Sequence, residues 1–443
     1  MRVLTHRPMR RGLGAAALLA VAGLLAPASA AQAAPAVEGA AAAPQAAESH
    51  QRTVRFATFN ASLNRGAAGA LVADLSQPLA AAPTPTRQQA ANVAEVIQRV
   101  RPDVLLINEF DYDDKHEALR LFARNYLAVG QQGARPIHYP YAYTAPSNTG
   151  IPSGHDLDNN GSVGGPNDAY GFGFFPGQYG MAVYSRYPID YATVRTFQLF
   201  RWADMPGARL PDDPATAAPR DWFSPAELAD VRLSSKSHWD VPIRTGRGVV
   251  HFLVSHPTPP VFDGPEDRNG LRNADEIRFW ADYISPRRSR YIYDDAGERG
   301  GLRPGAHFVI AGDLNSDPND GDSLPGAAQQ VLRHPRVNTS CTPASAGGAT
   351  EAVLQGGANL THRTNPRYDT ADFADSTPGN LRVDYVLPDR GLRVRGCGVF
   401  WPTRQSPLFR LTGVFDPTLP GGFPTSDHRL VWVDVKAPRG HWR

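Results

Sequence analysis

Short apolar runs recur along this chain, and most run into polar residues able to do chemistry. "TVRFATFN" ends on Asn60 and "DVLLINEF" carries Glu109. "GVVHFLVSH" ends on His256, and "HFVIAGDLN" delivers Asp313 and Asn315. "RVDYVLP" holds Asp384, while Asp427 and His428 stand immediately before "RLVWVDVK". Taken singly, an Asn or Asp at a strand end is a turn former. Taken together, polar residues recurring at the ends of several strands differ from a scatter of turn formers and point to one polar site.

The connections set the fold class. "TPTRQQAANVAEVIQRVRPD" reads as a helix, capped by Thr84 or Thr86, with Val93, Val96, Ile97 and Val100 at helical spacing and Pro102 closing it. The run "DVLLINEF" that follows is nearly continuous in apolar residues, as a strand covered on both faces would be. Strand, helix and strand in quick succession make an α/β unit. A second helix is expected at "NADEIRFWADYIS". Long Pro- and Gly-rich stretches, 145–178, 203–236, 257–305 and 400–425, interrupt the pattern as insertions rather than linkers, so residues 51–437 are expected to form one large domain.

The N-terminus is set apart from that domain. A basic leader, an Ala- and Leu-rich run and small residues at Ala28-Ser29-Ala30 and Ala31-Gln32-Ala33 read as a signal peptide over residues 1–33. An Ala/Pro-rich, disordered lead-in over 34–50 follows. These features predict export and a mature chain without a transmembrane segment. The whole chain has 45 Lys+Arg against 43 Asp+Glu. Losing Arg2, Arg7, Arg10 and Arg11 with the leader, and no acid, leaves a formal charge of −2, without the basic surplus of a non-specific nucleic-acid binder. Cys341 and Cys397 are compatible with one disulfide or with two buried thiols, and no C-x-x-C spacing marks a zinc-thiolate site.

The candidate site is oxygen-rich. Asn60, Glu109, Asp313, Asn315 and Asp427 suit a hard cation such as Mg²⁺ or Mn²⁺. His256 and His428 suit phosphate stabilisation or proton transfer. Neither a G-x-S-x-G elbow nor a P-loop is present. In "GDLNSDPNDGD", Asp317, Asn319, Asp320 and Asp322 read as a turn. "DLDNNG" at Asp156–Gly161 starts like a Ca²⁺ loop, but its twelfth position is Asn167. A structural Ca²⁺, with Asp168 as substitute ligand, stands beside a plain solvent loop as the two readings.

"TFN" (Thr58–Asn60), "NE" (Asn108-Glu109), "SH" (Ser255-His256), "GDLNSDP" (Gly312–Pro318), "RVDYVLP" (Arg382–Pro388) and "SDH" (Ser426–His428) come in the order typical of the endonuclease/exonuclease/phosphatase superfamily, which the chain resembles from about residue 52 to 436. The resemblance implies a four-layered α/β sandwich, DNase I-like, with two mostly antiparallel sheets face to face and helices outside. It also implies metal-dependent hydrolysis of a phosphate ester. Glu109 then looks like the principal Mg²⁺ ligand, with Asn60 beside it and Asp427 as a metal or structural carboxylate. Asp313 looks like the group that orients or deprotonates the attacking water, and Asn315 like a donor to the phosphate. His428 looks like the phosphate-contacting imidazole, oriented by Asp384. His256 matches the branch with a second active-site histidine. Lys236 and His238, in "SSKSHWDVPI", are expected to face the substrate phosphate. An extracellular nuclease acting on DNA or RNA is the first expectation. A phosphomonoesterase or sphingomyelinase-like phosphodiesterase is the alternative, and an inactive binding protein on the same fold is the non-enzymatic one. No stable protein partner is inferred.

Overall fold

The computed structural model describes residues 53–246 and 248–437. The expected signal peptide and lead-in, residues 1–50, lie outside the described residues. Among the described residues no helix is long and apolar enough to cross a membrane.

Two sheets carry the fold. The first has the strand order β10 (Val394–Val399), β11 (Val431–Lys436), β1 (Thr53–Leu63), β2 (Val104–Phe110), β4 (Met181–Ser185), β3 (Tyr141–Tyr143). The second runs β5 (Arg195–Thr196), β6 (His238–Arg244), β7 (Val249–Ser255), β8 (His307–Asp313), β9 (Asp384–Pro388). Only β1 with β2 and β7 with β8 pair in parallel; the other neighbours are antiparallel.

Alternation along the strands makes the layers. In β1, Val54 and Phe56 face the other sheet, where they join Leu106, Val183, Phe252 and Val309 in a core between the sheets. Ala57 and Phe59 point the opposite way and pack with helices α1 (Ala70–Ser76), α2 (Pro85–Val100) and α3 (Glu117–Phe122). The outer face of the second sheet, through Leu253, Phe308 and Ile310, is covered by α5 (Arg268–Tyr283), with the short α4 (Pro225–Leu228) in the insertion before β6. The result is the expected four-layered α/β sandwich.

The helix expected after "TPT" is α2, capped by the Thr84 hydroxyl, which accepts from Arg87 N, and ended by a left-handed Arg101. The helix expected at Asn273–Ser285 starts earlier, at Arg268. Strand β6 was not legible as a strand: Asp240 and Pro242 interrupt its apolar pattern. Pro242 is tolerated because its missing N–H faces no ladder demand, while its carbonyl accepts from Asp190 N. Cys341 and Cys397 form a disulfide.

Candidate active site

Strand direction brings the polar ends together. The C-terminal ends of β1, β2, β7 and β8, the start of β9 and the approach to β11 all lie at one end of the sandwich, because β9 and β11 run antiparallel to their neighbours. Asp313 thus pairs directly with Asp384, and Val431 with Thr58. The buried amide of Asn108 ties the two sheets at this end. Its Oδ1 accepts from Thr58 Oγ1 (3.3 Å) and from the Asp313 backbone N–H (3.3 Å), and its Nδ2 reaches Ser255 O at 3.5 Å. Gly312 permits this approach, since a Cβ there would sit 2.0 Å from Ser255 O.

The side chains then converge. Asn60 Nδ2 donates to Glu109 Oε1 (3.0 Å) and to Asp313 Oδ2 (3.1 Å). His256 Nε2 and His428 Nε2 stand 3.4 and 3.6 Å from the same Asp313 oxygen. His428 Nδ1 meets Asp384 Oδ2 at 2.9 Å. Asp384 is held in turn by Thr370, whose Oγ1 accepts from the Val383 and Asp384 N–H groups. Asp427 lies on the Glu109 side, within 3.4 Å of Ser62 Oγ. Asn315 N–H donates to Asp313 Oδ1 (2.8 Å), and one of its amide hydrogens goes to Pro257 O. Glu109 and Asn315 both adopt left-handed backbone (φ 57 and 50). For Asn this costs little, whereas for Glu it is a strained turn of the kind found where a side chain is re-aimed for function.

Burial and charge divide the site. Burial raises the Glu109 carboxyl, and Asp427 adds to the rise, against opposing help from Asn60. Burial also lifts Asp313, with His428 opposing. Burial disfavours the charged form of His428, yet Asp384 and Asp313 overcome this and hold its pKa well above the ordinary value. His256 goes the other way: burial, then Lys236 and His428, push it well below. Its Nδ1 is buried with no hydrogen-bond partner among the described residues. The two histidines are therefore unlike, one a cation held between carboxylates and one a neutral ring.

A divalent cation fits this donor set. Asn60, Glu109 and Asp427 offer only hard oxygens, and the mutual repulsion that raises Glu109 is what such a cation would relieve. Lys236 is buried where the Glu109 and Asp313 carboxylates act on it, and it lines a cavity together with Glu109 and His256. His238 corrects the expectation. Its Nδ1 accepts from Ser234 Oγ (2.6 Å) and its Nε2 donates to Glu276 O (2.9 Å). Its ring is wedged between Phe279 and Trp280, and it faces no phosphate. In the acidic loop, the carboxylates of Asp156, Asp158 and Asp168 do approach within 4.8 Å of one another. Each already accepts from the loop's own N–H groups, as at Gly161, Asn160 and Gly165. Asp317 accepts from Asn319 N and Asp320 N, the turn expected there.

Sequence reasoning did not single out Asn108, Thr370 or Ser426 as site residues. Ser426 Oγ accepts the His428 N–H (3.0 Å) and pairs with Ser62 Oγ. Nor did it single out Glu276, whose carboxylate accepts from Ser235 N and Thr258 N and so pins the segment leading into Lys236 to the loop that follows His256. Asn108 and Ser426 lie inside the quoted "NE" and "SDH" pieces and were findable there; Thr370 and Glu276 carry no local signal.

No curated protein matches the chain. Among solved structures, an endonuclease/exonuclease/phosphatase from Beutenbergia cavernae DSM 12333 is 16% identical at a TM-score of 0.46, over 87% of this chain and 72% of that one. Sphingomyelinase C from Streptomyces griseocarneus is 14% identical at 0.43, over 86% and 99%. A beta toxin mutant from Staphylococcus aureus with bound magnesium ions is 13% identical at 0.41, over 86% and 99%. The model of the Endonuclease/Exonuclease/phosphatase family matches residues 57–428, which take in every residue gathered at the strand ends from Asn60 to His428, and the chain therefore belongs to this family of phosphoester hydrolases.

Proposed function

We propose that this protein is an exported, divalent-cation-dependent hydrolase of phosphodiesters, with Asp313 as the group that orients and deprotonates the attacking water. The observation that carries the reading is the convergence on one Asp313 oxygen of the Asn60 amide and the His256 and His428 rings. A Mg²⁺ or Mn²⁺ held by Glu109, Asn60 and Asp427 would supply positive charge against the charge developing on the phosphate. The chain's own residues do the rest. Asp313 takes the water proton as the water oxygen bonds to phosphorus. His428, aligned by Asp384, donates to a non-bridging or leaving oxygen as the ester P–O bond breaks. Lys236 would add positive charge from the cavity side, where burial lowers its pKa and the Glu276, Glu109 and Asp313 carboxylates oppose that fall. The leader of residues 1–33 and the Cys341–Cys397 disulfide support export to an oxidising compartment.

The ester itself has two readings. Nucleic acid remains the first expectation from the sequence. A phosphodiester bearing an apolar arm is favoured by the cavity beside Lys236. Assays of the purified protein on duplex DNA, RNA, sphingomyelin and nitrophenyl phosphates, with and without EDTA, test the assignment. Cleavage of at least one diester that EDTA abolishes is expected. Inactivity on all of them, with Mg²⁺ and Mn²⁺ supplied, would overturn it.

A further inference from the structure

Beside the Asp313 cluster lies a cavity of about 530 Å³, within the range of small-molecule sites. Glu109, Lys236 and His256 form its polar end. Its remaining wall comes from three of the insertions that interrupt the strand pattern: Leu157 and Ala169 from the first, Phe223 and Val231 from the second, Val261 and Phe262 from the third.

Several of the polar groups along that wall are already engaged, while Leu157, Ala169, Phe223, Val231, Val261 and Phe262 present apolar surface. Trp202 turns its indole N–H away to Asp275 Oδ2 (2.9 Å). Arg272 donates to three backbone carbonyls, those of Leu233, Tyr170 and Arg232. Asn269 is engaged by Val261 O, Asn167 by Asp158, and Arg268 by Glu266. A nucleobase lodged against Leu157, Phe223, Val231 and Val261 would find few partners there for its edge donors and acceptors, and unpaired buried polar groups are costly. An alkyl chain carries no such groups and fits the apolar side of the wall.

The mouth points the same way. Phe172 and Phe262 line the cavity while 49% and 83% exposed, and Phe174, 67% exposed, packs edge-on against Phe172. Phe262 is held in left-handed backbone (φ 68), a strained conformation for a bulky residue.

We propose that the three insertions build a specificity pocket for an apolar arm of the substrate, so that the enzyme acts on amphiphilic phosphodiesters carrying an alkyl chain, the phosphate at Lys236 and the chain between Phe223, Val231 and Phe262. The inference rests on the phosphoesterase reading for its polar end. Water adds to phosphorus, one ester P–O bond breaks, and the products are an alcohol and a phosphate monoester.

The test is a competition series of methyl n-alkyl phosphates, from methyl to octyl, with Mg²⁺ present and monoester formation followed by ³¹P NMR. Each methylene entering the pocket should raise kcat/KM about threefold to fourfold until the space is filled, about a hundredfold or more in all. In Phe262→Ser, a change at the surface that leaves the core intact, the octyl-to-methyl ratio should fall. Val231→Phe, which narrows the pocket, should flatten it further. Calorimetric titration with octyl phosphate against methyl phosphate gives a readout independent of turnover, and the octyl compound should bind tighter. Hydrolysis with a flat chain-length profile, or with thymidine esters preferred over octyl ones, would overturn the apolar pocket and leave the phosphoesterase reading standing. Chain-length-dependent binding without hydrolysis of any ester would do the reverse.

Discussion

Asp313 accepts from Asn60 through the same oxygen that two imidazoles approach. Asp313→Ala and His428→Ala should each lower kcat by roughly 10²–10⁴-fold, the span of general acid–base contributions, with the circular-dichroism spectrum unchanged. Retention of near wild-type rates by both would remove the site from the chemistry. Asp384→Asn separates positioning from contact. The amide still fills the space beside His428 Nδ1 (2.9 Å in the native pair) but cannot hold the ring as a cation. It should therefore lower kcat with little change in KM. Glu109 is different again, since burial and Asp427 make its charge costly without a counter-ion. Glu109→Gln should raise the Mg²⁺ concentration for half-maximal activity by roughly tenfold or more, as loss of a ligating or supporting group does at other metal sites. An unchanged metal requirement would count against its role as ligand.

At the scale of elements, the strand ends were legible because a period-two apolar run that stops on Asp, Asn or His leaves a visible mark. Asn60, His256 and Asp313 were readable in this way, Glu109 within a continuous apolar run, and Asp384 and His428 from the short motifs just ahead of or opening their strands. His238 misled because its sequence position before "GVVHFLVSH" says nothing of which face of β6 it occupies, and the face is set by α5, whose Glu276 carbonyl takes its Nε2. The same helix supplies the Glu276 carboxylate under the Lys236 loop, a contact between elements far apart in sequence that no local pattern encodes. The buried His238 ring has a consequence for stability. Burial, opposed by the hydrogen bond to Glu276 O, lowers its pKa to about 4 from 6.5. Above about pH 6.5 the ring is neutral in both folded and unfolded chains and costs nothing. As pH falls from 6.5 towards 4, the unfolded chain takes up a proton that the folded chain refuses, and roughly 3 kcal/mol of stability is lost. Urea melts at pH 7.5 and pH 5 should show about 2 kcal/mol of this loss, the remainder appearing as pH falls on to 4. His238→Gln should be less stable at pH 7.5 but lose less between the two values, and an identical loss in the variant would refute the assignment.

At the scale of the whole molecule, one long connection runs from Asp313 at the end of β8 to Asp384 at the start of β9. It leaves the second sheet, crosses to the first and returns, and on the way it builds part of the site: Thr370 N–H and Ala371 N–H bond Leu381 O, Arg429 N–H bonds Thr370 O, and Asp372 N–H bonds Asp427 O. Backbone order in this one segment thus holds both Asp384 and the Asp427–His428 pair. The Cys341–Cys397 disulfide anchors the connection to β10, closing a loop with a sequence separation of 56. Cross-linking a loop of that length removes enough unfolded-state entropy to stabilise the fold by about 4 kcal/mol on the chain-entropy model. Cys341→Ser combined with Cys397→Ser should lower the urea-unfolding free energy by about 2–4 kcal/mol. Because the connection orders Thr370 and Asp372, the variant's activity should be lost at lower urea than its global unfolding, whereas in the native protein the two transitions coincide. Reduction of the native protein with dithiothreitol should reproduce both effects. If the double variant and the reduced protein unfold at the native urea midpoint, the disulfide is not what steadies this side of the site, and the burden passes to the backbone pairing of Thr370–Asp372 with Asp427–Arg429 alone.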